Sequence, residues 1–201
     1  IAKDDSVTHT ELPSAGASFV GWTGDTTTQS PALNLRMSRP FQVTAVFQLA
    51  LAVQDSVLGG GIMGAPYQDT VRVVGGTGVF VFAQLSGSLP PGLQLTPGGV
   101  LIGTPSKDSV YTFTVRVISG QQFLDLPLRV AVSAPTVAVN NVVKQLLSGG
   151  SFLTANEIAY LDLLGNRNGQ YDVGDFTAWL DKTGTVVSAE LMQRAMARSP
   201  R

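Results

Sequence analysis

The stretch LPPGLQLTPGGVLIGTPSKDSVYTFTVRVIS, residues 89–119, decides the fold predicted for this 201-residue chain. Its Pro-Pro-Gly and Pro-Gly-Gly triplets are typical of tight turns, and a short apolar run follows each of them. The longest run places apolar side chains at every second position, namely Tyr111, Phe113, Val115 and Val117. Because successive side chains of a strand point to opposite faces, this alternation predicts a β-strand with one buried face.

Short strands are also predicted on both sides of this stretch. Between residues 52 and 133 they recur at spacings of about 8–12 residues with turns between them, which is typical of a β-sandwich. Residues 1–51 show a shorter period-two pattern, which predicts a small β module. From residue 134 to residue 201 the apolar positions follow helical spacing. The predicted fold class is therefore mainly β with a C-terminal α module.

The helical region contains specific start and stop signals. Thr154 followed by Glu157 three residues later predicts a capping box, and Ser188 predicts the start of the last helix. Gly149 and Gly184 fit the glycine that commonly ends a helix. These signals predict several short helices rather than one long one.

Composition excludes several classes of function. The net charge is −1 and only 13% of residues are charged, so the chain lacks the basic stripe of a nucleic-acid-binding protein. There is no cysteine, which excludes disulfides, thiolate catalysis and zinc–thiolate sites. The longest apolar run, VTAVFQLALAV at 43–53, is about half the length that a membrane-spanning helix needs. We therefore expect no nucleic-acid partner and no transmembrane span.

Four motifs follow one another in the central region. They are Gly-Gly at 75–76 before an aromatic strand, Ser-Gly-Ser-Leu-Pro-Pro-Gly-Leu at 86–93, Ile-Gly-Thr-Pro at 102–105, and Tyr-Thr-Phe-Thr-Val at 111–115. Together they resemble a bacterial Ig-like domain. The resemblance implies an Ig-like β-sandwich over residues 52–133, of the kind that serves as a spacer or adhesive module in exported proteins.

The N-terminal region carries a second set of motifs. An aromatic-Gly-Trp-Gly-Asp turn at 19–25 is followed by Leu-Asn-Leu-Arg-Met at 33–37 and by Val-Thr-Ala-Val-Phe at 43–47. This order resembles the second half of a divergent B-repeat of the internalin type. The resemblance implies that residues 1–51 form a partial repeat that packs on the sandwich or on a partner protein.

The stretch GNRNGQYDVGDF, residues 165–176, places oxygen-bearing side chains at short intervals around a glycine. It resembles one half of a dockerin or EF-hand-like repeat, with Gly169 at the sixth loop position. The resemblance implies a structural calcium ion held by Asn166, Asn168, Asp172 and Asp175, with the carbonyl of Gln170 and with Asp162 in place of Leu164 at the first position. Oxygen ligands at such alternate spacing are what calcium requires.

The residues of this loop also permit a second interpretation. Asn and Asp side chains often cap backbone groups in a polar turn between two helices. In that case Asn166, Asn168 and Asp172 would serve the local fold and no metal would be needed. The sequence leaves both interpretations open.

No other residues suggest a catalytic or ligand site. His9 is the sole histidine and is interpreted as an exposed strand residue, because no serine nucleophile motif accompanies it. Trp22 and Trp179 are interpreted as core residues rather than sugar-stacking platforms. The glycine-rich segments 59–64 and 74–78 lack the Gly-Lys-Ser/Thr of a phosphate-binding loop and are interpreted as turns or linkers. We therefore expect no enzyme activity.

The combined expectation is a non-catalytic structural subunit outside the cytoplasm, in the periplasm or at the cell surface. It would contact other proteins and bridge or stabilise a larger membrane-bound complex of the envelope. A looser association, carried by no motif, links chains of this modular kind with accessory subunits on the periplasmic face of photosynthetic reaction-centre–antenna complexes. The alternative is a fragment of a secreted adhesin or carbohydrate-associated protein with calcium-dependent, dockerin-like attachment.

Overall fold

The structure, a computed structural model, describes residues 5–148 and 150–197, with side chains described up to residue 194. It confirms that the chain is mainly β with a helical C-terminal part, since every strand precedes the first helix. The predicted helix stop at Gly149 and the outer ends of the first and third predicted parts, residues 1–4 and 198–201, lie outside the described residues.

The described part of the chain contains twelve strands and four helices. The strands are β1 (Ser6–Thr10), β2 (Ala17–Gly24), β3 (Ala32–Arg36), β4 (Val43–Asp55), β5 (Gly61–Ile62), β6 (Tyr67–Thr70), β7 (Arg72–Gly76), β8 (Val81–Gly87), β9 (Leu93–Leu95), β10 (Val100–Gly103), β11 (Ser109–Ser119) and β12 (Gln122–Ser133). The helices are α1 (Val139–Ser148), α2 (Ala155–Leu164), α3 (Val173–Thr183) and α4 (Ala189–Ala197).

The strands form four open sheets. A four-stranded sheet has the order β5-β12-β11-β8, and a three-stranded sheet has the order β6-β10-β9. A second three-stranded sheet, β2-β4-β7, and the two-stranded β1-β3 pair contain the N-terminal strands. Strand β5 pairs in parallel with β12, so two residues of the glycine-rich segment 59–64 add an edge strand to the four-stranded sheet. Residues 74–76 of the second glycine-rich segment belong to β7. The interpretation of these two segments as only turns or linkers is therefore wrong in part.

The turns of the opening stretch are built around proline and glycine. The Leu93 amide donates a hydrogen bond of 3.0 Å to the Pro90 carbonyl, which closes the predicted turn. Gly103 has a φ of 143°, and a Cβ atom there would lie 2.1 Å from the carbonyl oxygen of Gly92. Only glycine fits this close approach of two backbone segments without a shift.

One large core unites strands of three sheets with the helices. The predicted alternation of β11 is confirmed, because Val115 and Val117 are completely buried. The same cluster of buried side chains includes Leu101 of β10, Val142 of α1 and Leu161 of α2. The helices therefore bury their apolar faces in the core that also holds the sheets together.

Local contacts fix the position of the helices against the strands. The turn between β5 and β6 approaches α2 so closely that a Cβ atom at Gly64 would lie 2.7 Å from the Tyr160 nitrogen. The Lys182 ammonium of α3 lies 4.0 Å from the Asp108 carboxylate. The capping box of Thr154 and Glu157 is confirmed, and it fixes the start of α2.

A second, much smaller core lies in the N-terminal part. It contains three buried side chains, those of Trp22, Leu33 and Leu35. The Trp22 indole donates a hydrogen bond of 3.1 Å to the Ser30 carbonyl. The predicted division between residues 51 and 52 falls inside β4, which pairs with β2 along its first half and with β7 along its second half. A continuous strand therefore joins the small core to β7, whose Val73 belongs to the large core.

Candidate functional site

The loop between α2 and α3 holds four of the six residues that the sequence assigned to a calcium site, and the other two, Asp162 and Asp175, lie in the adjoining turns of α2 and α3. Helix α2 ends at Leu164, so the first position of the resembled calcium loop is occupied by a helical residue. Two residues have left-handed backbone conformations, Arg167 with a φ of 58° and Gly169 with a φ of 83°. These conformations turn the chain sharply and bring the polar side chains together.

Asp172 and Asp175 form a capping box at the start of α3. The Asp172 carboxylate accepts a hydrogen bond of 2.7 Å from the Gly174 amide, and Asp175 accepts one of 2.9 Å from the Asp172 amide. The other oxygen of Asp175, a completely buried residue, accepts a bond of 3.1 Å from the Asn166 amide. Asp172 therefore satisfies an amide of the first helical turn, and Asp175 satisfies the amide of the capping residue and one of the loop.

The remaining polar side chains extend this network across the loop. The Nδ2 atoms of Asn166 and Asn168 each lie 2.8 Å from Oδ2 of Asp172. The Oδ1 atoms of the two asparagines accept bonds from backbone amides two residues further on, at 3.1 and 2.8 Å. Asp162 accepts a bond of 3.0 Å from the Gly169 amide. The loop thus closes on itself through hydrogen bonds.

This network changes the electrostatics of the loop. Hydrogen bonds from the side chains of Asn166 and Asn168 and from the backbone of Gly174 hold the pKa of Asp172 below its ordinary value. Burial, with the negative charges of Asp175 and Asp172, raises the pKa of Tyr171 far above its ordinary range. Tyr171 therefore stays neutral and donates a hydrogen bond of 3.2 Å to the Val142 carbonyl of α1.

The donor set of the loop matches calcium in type but not in orientation. Carboxylate and amide oxygens are suitable ligands, yet the two asparagine side chains direct Nδ2 atoms, not oxygens, at the Asp172 carboxylate. Within residues 5–148 and 150–197, no group of three or more His, Cys, Asp or Glu side chains is placed to hold a metal ion. Calcium would require Asn166 and Asn168 to turn their amides so that the oxygens, together with the Asp172 carboxylate, point at the ion.

The aromatic residues singled out from the sequence are core residues. Trp22 is 4% exposed and Trp179 is 3% exposed, so neither ring presents a face to solvent. His9 is exposed on β1, with its ring centroid 6.3 Å from that of Trp22. No helix in the described residues has the length and apolarity needed to cross a membrane.

Sequence reasoning missed an apolar row on the outer face of the four-stranded sheet. Val81, Ile118 and Phe123 are directly opposite one another on β8, β11 and β12. They are 48%, 42% and 62% exposed. The pairing of Ile118 with Phe123 could have been predicted, because the two residues flank a two-residue turn at equal distance. The pairing of β8 with β11, which adds Val81 to the row, could not be predicted from the sequence.

Comparisons with known proteins do not place the chain in a family. No family model matches it, and no curated protein is significantly similar to it. Among solved structures, a protein described as an α-galactosidase/melibiase from Bacteroides fragilis is 15% identical over 41% of this chain and 17% of its own, with a TM-score of 0.37. An endo-fucoidan hydrolase of glycoside hydrolase family 107 is 13% identical over 66% of this chain and 24% of its own, with a TM-score of 0.35.

A structure of the extracellular cadherin domains 1–5 of protocadherin Gamma B2 is 12% identical over 67% of this chain and 34% of its own, with a TM-score of 0.32. The chain thus spans at most about a third of the length of these three structures. Similarity at this level is too low to carry a conclusion about activity or binding.

Proposed function

We propose that this chain is a non-catalytic structural module that works outside the cytoplasm and makes protein–protein contacts within a larger, membrane-bound envelope complex. The observation that carries the proposal is the apolar row of Val81, Ile118 and Phe123 on the outer face of the four-stranded sheet. Exposed sheet faces normally carry polar residues, whereas an apolar row with a polar border is typical of a contact surface.

The border of the row has the composition of an interface rim. Arg116 and Asp125, in the next row along the sheet, form a two-pronged salt bridge with both N···O distances at 2.7 Å. The Arg116 guanidinium also lies 4.6 Å from the centroid of the Phe123 ring. Because the guanidinium contact restricts the Phe123 ring, this side chain would lose little conformational entropy on contact with a partner. The Arg116–Asp125 ion pair would remain at the solvent-accessible rim of the interface.

Two features support the finer proposal that the central part is an Ig-like β-sandwich. The four-stranded sheet and the β6-β10-β9 sheet bury side chains in a single core, as the two layers of a sandwich do. The Gly-Thr-Pro and Pro-Pro-Gly motifs lie side by side at the open end of the β9-β10 hairpin, where Gly103 approaches Gly92. Such a stiff unit suits a subunit that sets the distance between other components.

An affinity capture with the tagged chain from its own envelope fraction tests the role. We expect a defined set of membrane proteins at fixed stoichiometry, and we expect Ile118→Thr with Phe123→Ser to lose that set. The matched control is Val110→Thr, because Val110 is 51% exposed on the same face of β11 but lies at its other end. Retention of the whole set by the double variant would overturn the proposed contact surface. The identity of the captured proteins also tests the association with photosynthetic complexes.

A second candidate is a fragment of a secreted adhesin or carbohydrate-associated protein that attaches through a calcium-dependent, dockerin-like helical part. The observation that favours it is that one hydrogen-bond network brings together the loop residues Asn166, Asn168 and Asp172 with Asp162 of α2 and Asp175 of α3. Gln170 would contribute its carbonyl oxygen. Turning of the two asparagine amides would replace their bonds to Asp172 by bonds to the ion.

Calorimetric titration of the chelator-treated chain with calcium separates the two candidates. Micromolar binding that Asp172→Ala abolishes, together with capture of partners only in the presence of calcium, supports dockerin-like attachment. Absence of binding, with capture unchanged by a chelator, leaves the loop as a hydrogen-bonded start of α3. Asp181→Asn on the exposed face of α3 is the control for a general loss of negative charge.

A further inference from the structure

The outer face of the four-stranded sheet extends well beyond the apolar row of Val81, Ile118 and Phe123. Strands β11 and β12 keep one register along their whole paired length, so every second residue of each strand stays on this face. The face therefore continues past the ion pair of Arg116 and Asp125 towards the other end of both strands. The residues in that continuation indicate what kind of partner the face fits.

A depression of about 360 Å³ lies on this face beyond the ion pair. Ser86, Thr114 and Pro127 lie directly opposite one another in its first row, and Thr112 lies opposite Arg129 in the next row. The other residues that border it either are glycine or have side chains buried on the core side of the sheet. Short side chains on the outer face therefore leave room for a side chain of a partner.

Arg129 carries the unbalanced charge of this sheet. Strands β5, β8, β11 and β12 contain three charged residues, namely Arg116, Asp125 and Arg129. Arg116 and Asp125 neutralise each other, and hydrogen bonds from the Arg116 guanidinium hold the pKa of Asp125 below its ordinary value. Within residues 5–148 and 150–197, the Arg129 side chain has no ion pair or hydrogen bond. The sheet is thus left with one net positive charge, and it lies on the outer face.

Hydroxyl groups accompany the Arg129 guanidinium in the depression. The side chains of Ser86, Thr112 and Thr114 share this face, and among the described residues their hydroxyls have no hydrogen-bond partner. A hydroxyl can donate a hydrogen bond, and a guanidinium presents its donors in a planar fork that fits a carboxylate. None of the residues that line the depression is acidic. The depression therefore suits an anionic group rather than a cation.

The apolar row and Arg129 are close enough to be covered by one partner. Phe123 and Arg129 are six residues apart on β12, which corresponds to about 20 Å along a strand. An interface of ordinary size covers about 800 Å² of each partner, which is a patch about 30 Å across. A partner that covers the apolar row therefore also reaches Arg129. Because burial of an unpaired charge is costly, such a partner must supply an acceptor there.

We infer that the partner of this face is a protein surface that places an acidic side chain, Asp or Glu, in the depression beside Arg129 while its apolar residues cover the apolar row. The inference rests on the proposed contact role of that row and names the chemistry of the partner. The same face of a second copy does not fit, because its one carboxylate, Asp125, is already bound by Arg116. An anionic membrane fits less well, since a single uncompensated cation attracts it weakly.

A zero-length crosslink tests the acidic contact directly. Arg129→Lys keeps the positive charge and introduces a primary amine, which a carbodiimide joins to a carboxylate in contact with it. The tagged variant is incubated with the detergent-solubilised envelope fraction, crosslinked and digested. We expect mass spectrometry to find the introduced lysine joined to an Asp or Glu of one captured protein. Gln94→Lys, at an exposed position of β9 outside this face, is the control and should give no crosslink to that protein.

Charge variants at the same position measure how much the contact contributes. With the immobilised chain and the solubilised envelope fraction, we expect Arg129→Lys to retain the captured set of membrane proteins. Arg129→Gln should weaken its retention by about tenfold, and Arg129→Glu should abolish it through repulsion of the acidic partner. Far-ultraviolet circular dichroism should be unchanged in all three variants, because Arg129 is exposed and its side chain makes no ion pair or hydrogen bond with the described residues.

The outcomes separate this inference from the proposed contact surface. If Ile118→Thr with Phe123→Ser loses the captured set while Arg129→Glu retains it, the apolar contact stands and the acidic partner is overturned. The acidic partner is also overturned if the introduced lysine forms no crosslink or joins only a lipid headgroup. If the double variant retains the set, or the native chain captures none, the proposed contact surface fails and the inference fails with it.

Discussion

The two cores of this chain differ sharply in size and in what surrounds them. The large core takes side chains from three sheets and from the helices, whereas the small core consists of Trp22, Leu33 and Leu35. Burial of apolar area is the main source of stability, so the large core can stand on its own and the small core needs support. That support comes from β4, whose second half pairs with β7, a strand that contributes Val73 to the large core, and from the Gln122 hydrogen bonds.

The difference is directly observable because each core contains one of the two tryptophans. Trp22 is buried in the small core and Trp179 in the large one. Variants that keep a single tryptophan, Trp179→Phe or Trp22→Phe, therefore report the unfolding of one core at a time. The denaturant midpoints of the Trp22 and Trp179 fluorescence transitions then compare the stability of the small core with that of the large core.

The largest effect is expected from a change in the large core. Leu161 of α2 is completely buried among residues of the helices and sheets, so Leu161→Ala should lower the free energy of unfolding by about 2–5 kcal/mol. Because the core is shared, far-ultraviolet circular dichroism and Trp179 fluorescence should move to lower denaturant together. Leu12→Ala is the control, since Leu12 is 87% exposed and its loss should change little. Separate transitions for helices and strands would contradict the shared core.

A smaller effect is expected where the two cores are joined. Gln122→Ala removes the acceptor of the Leu51 amide and should lower stability by about 1 kcal/mol. The loss should fall mainly on the transition that Trp22 reports, because the hydrogen bonds of Gln122 hold β2 and β4. Gln84→Ala, which removes a bond of 2.9 Å to the Gly87 carbonyl at the far edge, is the matched control. An equal shift of both tryptophan signals would mean that the cores unfold as one unit.

The sequence predicted the local parts of this arrangement well. The alternation of β11 and the capping box at Thr154 are set by neighbouring residues, so they could be derived without knowledge of the rest of the chain. The polar loop is also local, and both its capping groups and its donor set follow from residues within one loop. Which of the two roles the loop performs depends on the orientation of the Asn166 and Asn168 amides, which residue identity does not determine.

Long-range relations could not be derived in the same way. The pairing of β4 with β7 contains two register shifts, between Leu49 and Ala52 and between Val53 and Asp55, so simple alternation does not predict it. The contact of Gln122 with Leu51 joins residues 71 positions apart, and a polar residue after a turn gives no sign of its partner. The apolar pattern of a helix shows that one face is buried but not that β-strands contribute to the same core.

The smallest effect on stability is expected from the Asp172 carboxylate, which lies outside both cores at the start of α3. A change there should affect the part of the chain that Trp179 reports and not the part that Trp22 reports. The pKa of Asp172 is lower in the folded chain than its ordinary value of 3.8, mainly through hydrogen bonds from the Asn166 and Asn168 side chains. The unfolded state therefore takes up a proton at higher pH than the folded state. The resulting stabilisation is fully present above pH 3.8 and is lost as the pH falls through the folded pKa.

Asp172→Asn should accordingly cost stability at pH 6, where the native carboxylate is ionised, and the cost should shrink as the pH approaches 3. Asparagine also caps helices well, so the variant keeps the start of α3 and isolates the charge. The Trp179 signal should show the change and the Trp22 signal should not, because Trp179 lies on α3. Asp181→Asn, at an exposed position of the same helix, controls for net charge. If the difference in free energy of unfolding between the native and Asp172→Asn chains did not change with pH, the negative charge of Asp172 would contribute nothing to the stability.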